Sequence, residues 1–248
     1  MAIDTKHFSF HGIVSLGTAG SNAIEEYEVG NCPALSIDLA VETIEHTESW
    51  SGQRMNDLRL IKAKKASIKM TLESFALDNL ALGLYGQTAT RAAGTVTAES
   101  LGTVTAGMVY PLAEPVGVSS VVVKDGANTT VPAAKYELDA TFGAIKVLDT
   151  TGTTMPWKVD YAYGAAKNVG MFLVNPPPRR LRLRGVNTAQ GNAPVLVELY
   201  KVQFDPIKNL ALIQDDLGKL EFEGSVLADP TKANDPMLGM FGRVMMLG

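Results

Sequence analysis

The chain has 248 residues, 46% hydrophobic and 19% charged, and so apolar a sequence buries enough surface to offset its ordering entropy, which excludes disorder. Its net charge of −4, from 22 Lys and Arg against 26 Asp and Glu, argues against a dedicated nucleic-acid binder, because gripping phosphates takes a basic surface. Runs such as Val121-Val122-Val123 fall far below the ~20 residues that span a bilayer, and Asp4 stands where a signal peptide would begin its apolar core. The expectation is a soluble protein made in the cytosol, with no membrane partner. Cys32 is the one cysteine and has no internal partner; it reads as a small buried hydrophobe.

In chain order, residues 1–33 lack a pattern and read as an arm or loop with one short strand at most; Gly17-Thr-Ala-Gly20 reads as a turn. Leu35, Ile37, Leu39 and Val41 then alternate with Ser36, Asp38 and Glu42, which predicts a half-buried strand. Residues 46–59 are polar and read as a long loop. Ala66, Ile68, Met70 and Leu72 predict a second strand, with the basic Ala63–Lys65 run at its start. A helix follows over 75–86, N-capped by Ser74, striped by Leu77, Leu80 and Leu84, and C-capped by Gly86.

Composition shifts after Gly86. Residues 91–164 are rich in Thr, Ala, Gly and Val, and Val118–Lys124, Lys135–Leu138, Gly143–Leu148 and Lys158–Tyr163 predict short strands of a small inserted all-β domain. The first pattern resumes over 165–248. Arg180–Arg184 and Val195–Phe204 read as strands, Ile207–Leu217 as a short helix and Lys219–Leu227 as the last strand. The Met-rich tail is too apolar to be disordered and is expected to pack.

The motifs of catalysis are missing. There is no phosphate-binding loop and no nucleophile elbow. His7, His11 and His46 form no zinc pattern without a cysteine cluster. Glu25-Glu26 and Asp215-Asp216 read as solvated acids. The row Arg179, Arg180, Arg182 and Arg184 would suit an anion or, more simply, an edge strand whose charges block pairing. Trp50 reads as a loop anchor. No enzyme, cofactor or metal site is expected.

Three blocks carry a likeness. Glu48-Ser-Trp-Ser-Gly-Gln-Arg-Met-Asn-Asp-Leu-Arg-Leu60, the stretch from Lys64 through Phe75-Ala-Leu-Asp-Asn-Leu to Gly86, and Tyr200-Lys-Val-Gln-Phe-Asp-Pro206 with Glu223-Gly-Ser-Val-Leu-Ala-Asp-Pro230 resemble tail tube proteins of long-tailed bacteriophages. The resemblance covers about 35–87 and 165–230 and leaves out the middle. It implies a mainly β fold of two packed antiparallel sheets, a sandwich or half-barrel with one flanking α-helix, in which residues 1–90 and 165–248 build one ring-forming domain. It further implies hexameric rings stacked into a tube in the virion tail, assembled in the host cytoplasm. Its partners would be further copies of itself, then tape measure, tail terminator and distal tail proteins. Genomic DNA would pass through without specific binding.

On that resemblance, Trp50, Arg54, Met55 and Asp57 would contact the next ring. Asp38, Glu42, Glu221 and Glu223 would be acids facing the lumen, where a wall that bound phosphate would stall DNA. Met237, Met240, Phe241 and Met245 would form a C-terminal arm with adaptable side chains. Residues 91–164 would project from the outside of the ring. The competing readings are a β-rich adhesin or ligand-binding module and a secretion-system tube subunit.

Overall fold

In the computed structural model, residues 7–20, 25–233 and 235–246 are described, and the chain divides into two compact units. Unit 1 takes 1–87 and 169–248, and unit 2 takes Thr88–Asn168; composition alone drew the middle segment as 91–164. Both are built mainly from antiparallel β-strands, with one α-helix among the described residues. That helix is too short to cross a membrane.

Unit 1 opens with β1 (Phe10–Thr18), β2 (Glu26–Glu28), β3 (Ala34–Thr47), β4 (Asn56–Leu72) and α1 (Leu77–Gly83). The chain passes through unit 2 as β5 (Gln87–Arg91), β6 (Gly94–Gly102), β7 (Val109–Pro111), β8 (Ser119–Lys124), β9 (Tyr136–Asp139), β10 (Ala144–Val147) and β11 (Trp157–Tyr163). It returns along β12 (Ala166–Gly170), which pairs with β5, into β13 (Arg179–Asn187), β14 (Ala193–Phe204), β15 (Leu220–Val226) and β16 (Gly242–Met246).

Eight strands of unit 1 share one antiparallel sheet in the order β2-β1-β13-β14-β15-β4-β3, with β16 branching from β14. Period-two alternation gives this sheet an apolar face, where Leu16, Ile68, Met70, Leu181, Phe204 and Phe222 are fully buried. The rings of Phe204 and Phe222 meet edge to face at 5.8 Å.

Several expectations are corrected here. The segment before residue 33 is no loose arm: β1 runs nine residues, pairs with β13 and buries Val14 and Leu16, with Gly17 inside the strand. Its two glycines, Gly12 and Gly17, mask the alternation Val14-Leu16 in the sequence. The loop expected at 46–59 shrinks to 48–55, because β3 and β4 continue to Thr47 and from Asn56. The basic Ala63–Lys65 run therefore lies inside β4 instead of starting it. Nor is Lys219–Leu227 the last strand, since β16 follows it. Residues 205–219 hold no helix.

The helix itself is seven residues long and starts at Leu77 with Ala76 as N-cap and no side-chain cap; Phe75 is exposed. Leu80 and Leu82 face the core, and buried Asn79 donates to Val29 O (2.9 Å) and Ser74 O (3.2 Å). Ser74 is thus tied through its carbonyl, and its hydroxyl is no cap. Gly86 is glycine for proximity: a Cβ there would lie 2.4 Å from the carbonyl oxygen of Gly170.

Unit 2 packs two three-stranded sheets, β7-β10-β9 and β6-β11-β8, around its own core of Trp157, Ile145, Val123, Val159 and Tyr161. Asp125 braces a turn by accepting from Ala127 N, Thr129 N and Thr154 N, at 2.9–3.1 Å. The hydroxyl of Tyr161 donates to Glu99, and burial pushes its pKa up to about 12.

Candidate functional site

The far half of the β3–β4 hairpin has few internal partners. β15 pairs with β4 only over Ala66–Leu72, whereas β3 and β4 stay paired out to Thr47 and Asn56. From Ala40 and Lys65 outward the ribbon therefore has two strands and no third. Neither face is covered, and Ile44, Leu58, Leu60 and Ile61 are each 50–61% exposed. Ile44 lies opposite Leu60 across the ribbon. An isolated two-stranded hairpin is marginal in water, so a ribbon bearing four such side chains gains when another surface covers it.

Sequence reasoning missed these four residues. Leu58 lies inside the segment 46–59 that polarity marked as loop and Leu60 just beyond it, and their alternation was the signal.

Glu48 orders the tip. Its backbone N donates to Met55 O (2.9 Å), while one carboxylate oxygen accepts from Trp50 N and Ser51 N at 2.9 Å each. The other oxygen accepts from the Ser51 hydroxyl and from Met55 N. The Ser51 hydroxyl bond, followed by these amide bonds, holds the Glu48 carboxyl below the usual carboxylate range.

Four amide and hydroxyl donors thus converge on one side chain, which presents Trp50 outward with 86% of its surface exposed. Trp50 is no loop anchor; it is what the tip displays. Met55 is exposed beside it, and Arg54 takes a positive φ of 52°. Asp57 lies on β4 itself, 2.6 Å from Nδ1 of His46. Trp50, Arg54 and Met55 are gathered at the tip, with Asp57 two residues beyond it.

The four candidate lumen acids fall on one face. Register places Asp38 opposite Ser67, which lies opposite Ser225, and Glu223 opposite Lys69, so Asp38, Glu42, Glu221 and Glu223 all project from the polar side of β3 and β15. This face is not simply acidic. Asp38 lies 3.8 Å from Lys69, Glu42 pairs with Lys65, and Glu223 pairs with Lys208.

The arginine row occupies an interior strand, not an edge: β13 lies between β1 and β14. The charges of Arg180, Arg182 and Arg184 are partnered instead. Buried Glu198 lies between Arg180 (2.6 Å), Arg182 (3.2 Å) and Arg243 of β16 (2.7 Å). Glu26 and Glu28 on β2 take the other sides of Arg182 (3.4 Å) and Arg184 (2.8 Å). Glu26 also accepts from the Ser15 hydroxyl, so it is not a freely solvated acid. Burial pushes the Glu198 carboxyl up, but the bonds from Arg243 and Arg180 outweigh it and hold the group below its ordinary value.

The tail folds back on its own sheet. β16 pairs antiparallel with Val195–Leu199 of β14, and Met245 lies half-buried opposite Leu196. Met240 and Phe241 line an apolar groove beside it, and Met237 is exposed in the preceding turn. Instead of an arm reaching outward, Gly242–Met246 of this segment is a strand of the protein's own sheet. Cys32 is half-buried against the unit 1 core, and burial raises its thiol pKa. No three His, Cys, Asp or Glu side chains among the described residues cluster to hold a metal ion.

Fold and surface together define a two-unit, mainly antiparallel β protein that carries a projecting apolar ribbon. A family model described as a protein of unknown function, UCP028589, matches residues 7–245, nearly the whole chain, and the protein belongs to that family. No curated protein matches the sequence.

Proposed function

We propose that this protein is a structural subunit that assembles with copies of itself into stacked rings, the tail tube of a long-tailed bacteriophage. One observation carries the reading: the β3–β4 ribbon extends past the third strand with Ile44, Leu58, Leu60 and Ile61 uncovered on a tip held ready by Glu48. An exposed apolar surface such as that of Ile44, Leu58 and Leu60 on one face of the ribbon marks an interaction site, and a rigid one loses little entropy on docking. The resemblance of the three sequence blocks to tail tube proteins supplies the kind of assembly. In this reading the ribbon and its Trp50 tip meet the next ring, and the polar face of β3, β4 and β15 lines the channel. Alternating acids and lysines there leave no large field of one sign to hold a polyanion.

Sedimentation of the purified protein across a concentration series tests the proposal, together with a glycan-binding screen. Large concentration-dependent species that bind no glycan support it. A monomer at all concentrations that binds a glycan overturns it in favour of an adhesin.

A further inference from the structure

Residues 205–219 cross from β14 to β15 without regular structure, although their sequence is written for a short helix. Asp205-Pro206 opens it, Leu210, Ile213 and Leu217 follow at i, i+3 and i+7, and Gly218 closes it. Leu210 packs against the unit 1 core and roots the segment, and Ile207 N donates to Gly83 O at 2.9 Å. Beyond that root the apolar side chains stand free: Ile213 is 97% exposed and Leu217 79%. A helix this short is marginal in water unless a surface buries its stripe. The helical signal is present and the surface that would satisfy it is not.

Such a surface exists elsewhere on unit 1. The sheet forks where β14 pairs with β16 through Val195–Leu199 and with β15 through Val202–Phe204. Between the branches lies an open groove of about 330 Å³, lined by Ile37, Leu39, Ala66, Val197, Val226 and Val244 among others. Leu39 is 79% exposed there.

From the structure we infer that residues 209–217 of one copy fold into a short helix in the β14–β16 groove of a second copy. Along β3, Ile37 to Leu39 spans about 7 Å, and the free part of the stripe, Ile213 to Leu217, spans roughly 6 Å, so the lengths match while Leu210 keeps its place in its own core. Charge matches as well. Lys64 lies opposite Val41 on the face that carries Ala66, is exposed, and has no ion pair among the described residues. The exposed Asp215 and Asp216 stand next to Leu217 and would reach that end of the groove. Leu212 faces away from the stripe. Segment and groove are different surfaces of one chain, so the contact is head-to-tail and repeats from copy to copy, as closed rings and stacks require. This inference rests on the self-assembly reading and adds the contact that order in the segment depends on.

Mixed disulfide cross-linking of the full chain tests it. In a Cys32→Ser background, one preparation carries Ile213→Cys and another Leu39→Cys. Mixed and oxidised, they should give disulfide dimers several-fold above either preparation alone. Adding Gln214→Pro to the first preparation is harmless to irregular backbone but forbidden inside a helix, and should weaken the association by about a hundredfold. No dimer in the mixture overturns the inference. So does a disulfide that forms only within a single chain carrying both substitutions, or cross-linking indifferent to Gln214→Pro. Wild-type rings in electron micrographs without the cross-link overturn the docking and leave the tube reading standing. Cross-linked dimers from a protein that never forms rings overturn the tube reading and leave the docking standing.

Discussion

Replacing Leu58 and Leu60 together by threonine should separate assembly from folding. Both residues are about half exposed on the two-stranded ribbon, so a partner surface would bury only the remaining half of each. Full burial of a leucine contributes about 1.5–3 kcal/mol, so the half still in water is worth about 1 kcal/mol each, and the pair about 2 kcal/mol. At 1.4 kcal/mol per tenfold, each contact should weaken about thirtyfold. Threonine is β-branched and suits a strand, and the side chains lie outside the core, so monomer stability should stay within about 0.5 kcal/mol. Sedimentation measures the first effect and thermal melting the second. Unchanged association with a lowered melting temperature would refute the reasoning, because it would make the ribbon part of the fold.

Three further outcomes follow from the buried network, the tip and the second core. Glu198→Gln leaves Arg180, Arg182 and Arg243 facing one another and should cost about 3 kcal/mol near pH 7 in denaturant titrations, the low end for a broken buried pair because the arginines keep some solvent contact. Since the folded Glu198 carboxyl is held low, its contribution is full above the unfolded value of about 4.3 and lost as pH falls through the folded value, so the two proteins should converge in acid. Glu48→Ala should speed amide exchange at Trp50, Ser51 and Met55 and lower assembly with no change in the melting of either core. Trp157→Ala should destabilise unit 2 by about 3–5 kcal/mol in tryptophan-independent melts, and replacing 92–163 by a Gly/Ser linker should leave unit 1 folded, as its separate core requires.

Legibility in the sequence followed how far each signal was local. Strands with one buried face, such as the inner half of β3, β14 and β15, are readable from alternation alone, and so are the short strands β8 to β11 between turn residues. β1 was hidden because Gly12 and Gly17 interrupt its alternation, and only pairing with β13 makes it a strand. The outer ribbon was hidden for the opposite reason. A strand exposed on both faces carries polar residues on each, so the brief Leu58–Leu60 alternation was lost in what looked like a loop.

The 207–217 helix signal was real as a pattern, but a stripe without a surface does not fold. Glu198 and the arginine row were legible as charges and not as a network, because their partners are 16 to 156 residues away along the chain. Glu48 gave no sign of its role, since four donors converge on it only once the tip has closed.

The central claim is that this chain builds a tube from itself. Negative-stain electron microscopy of the purified protein at increasing concentration tests it most directly. The account predicts rings with a central channel, and stacks of such rings at the higher concentrations. Uniform single particles of one 26.4 kDa chain, at every concentration, would contradict it.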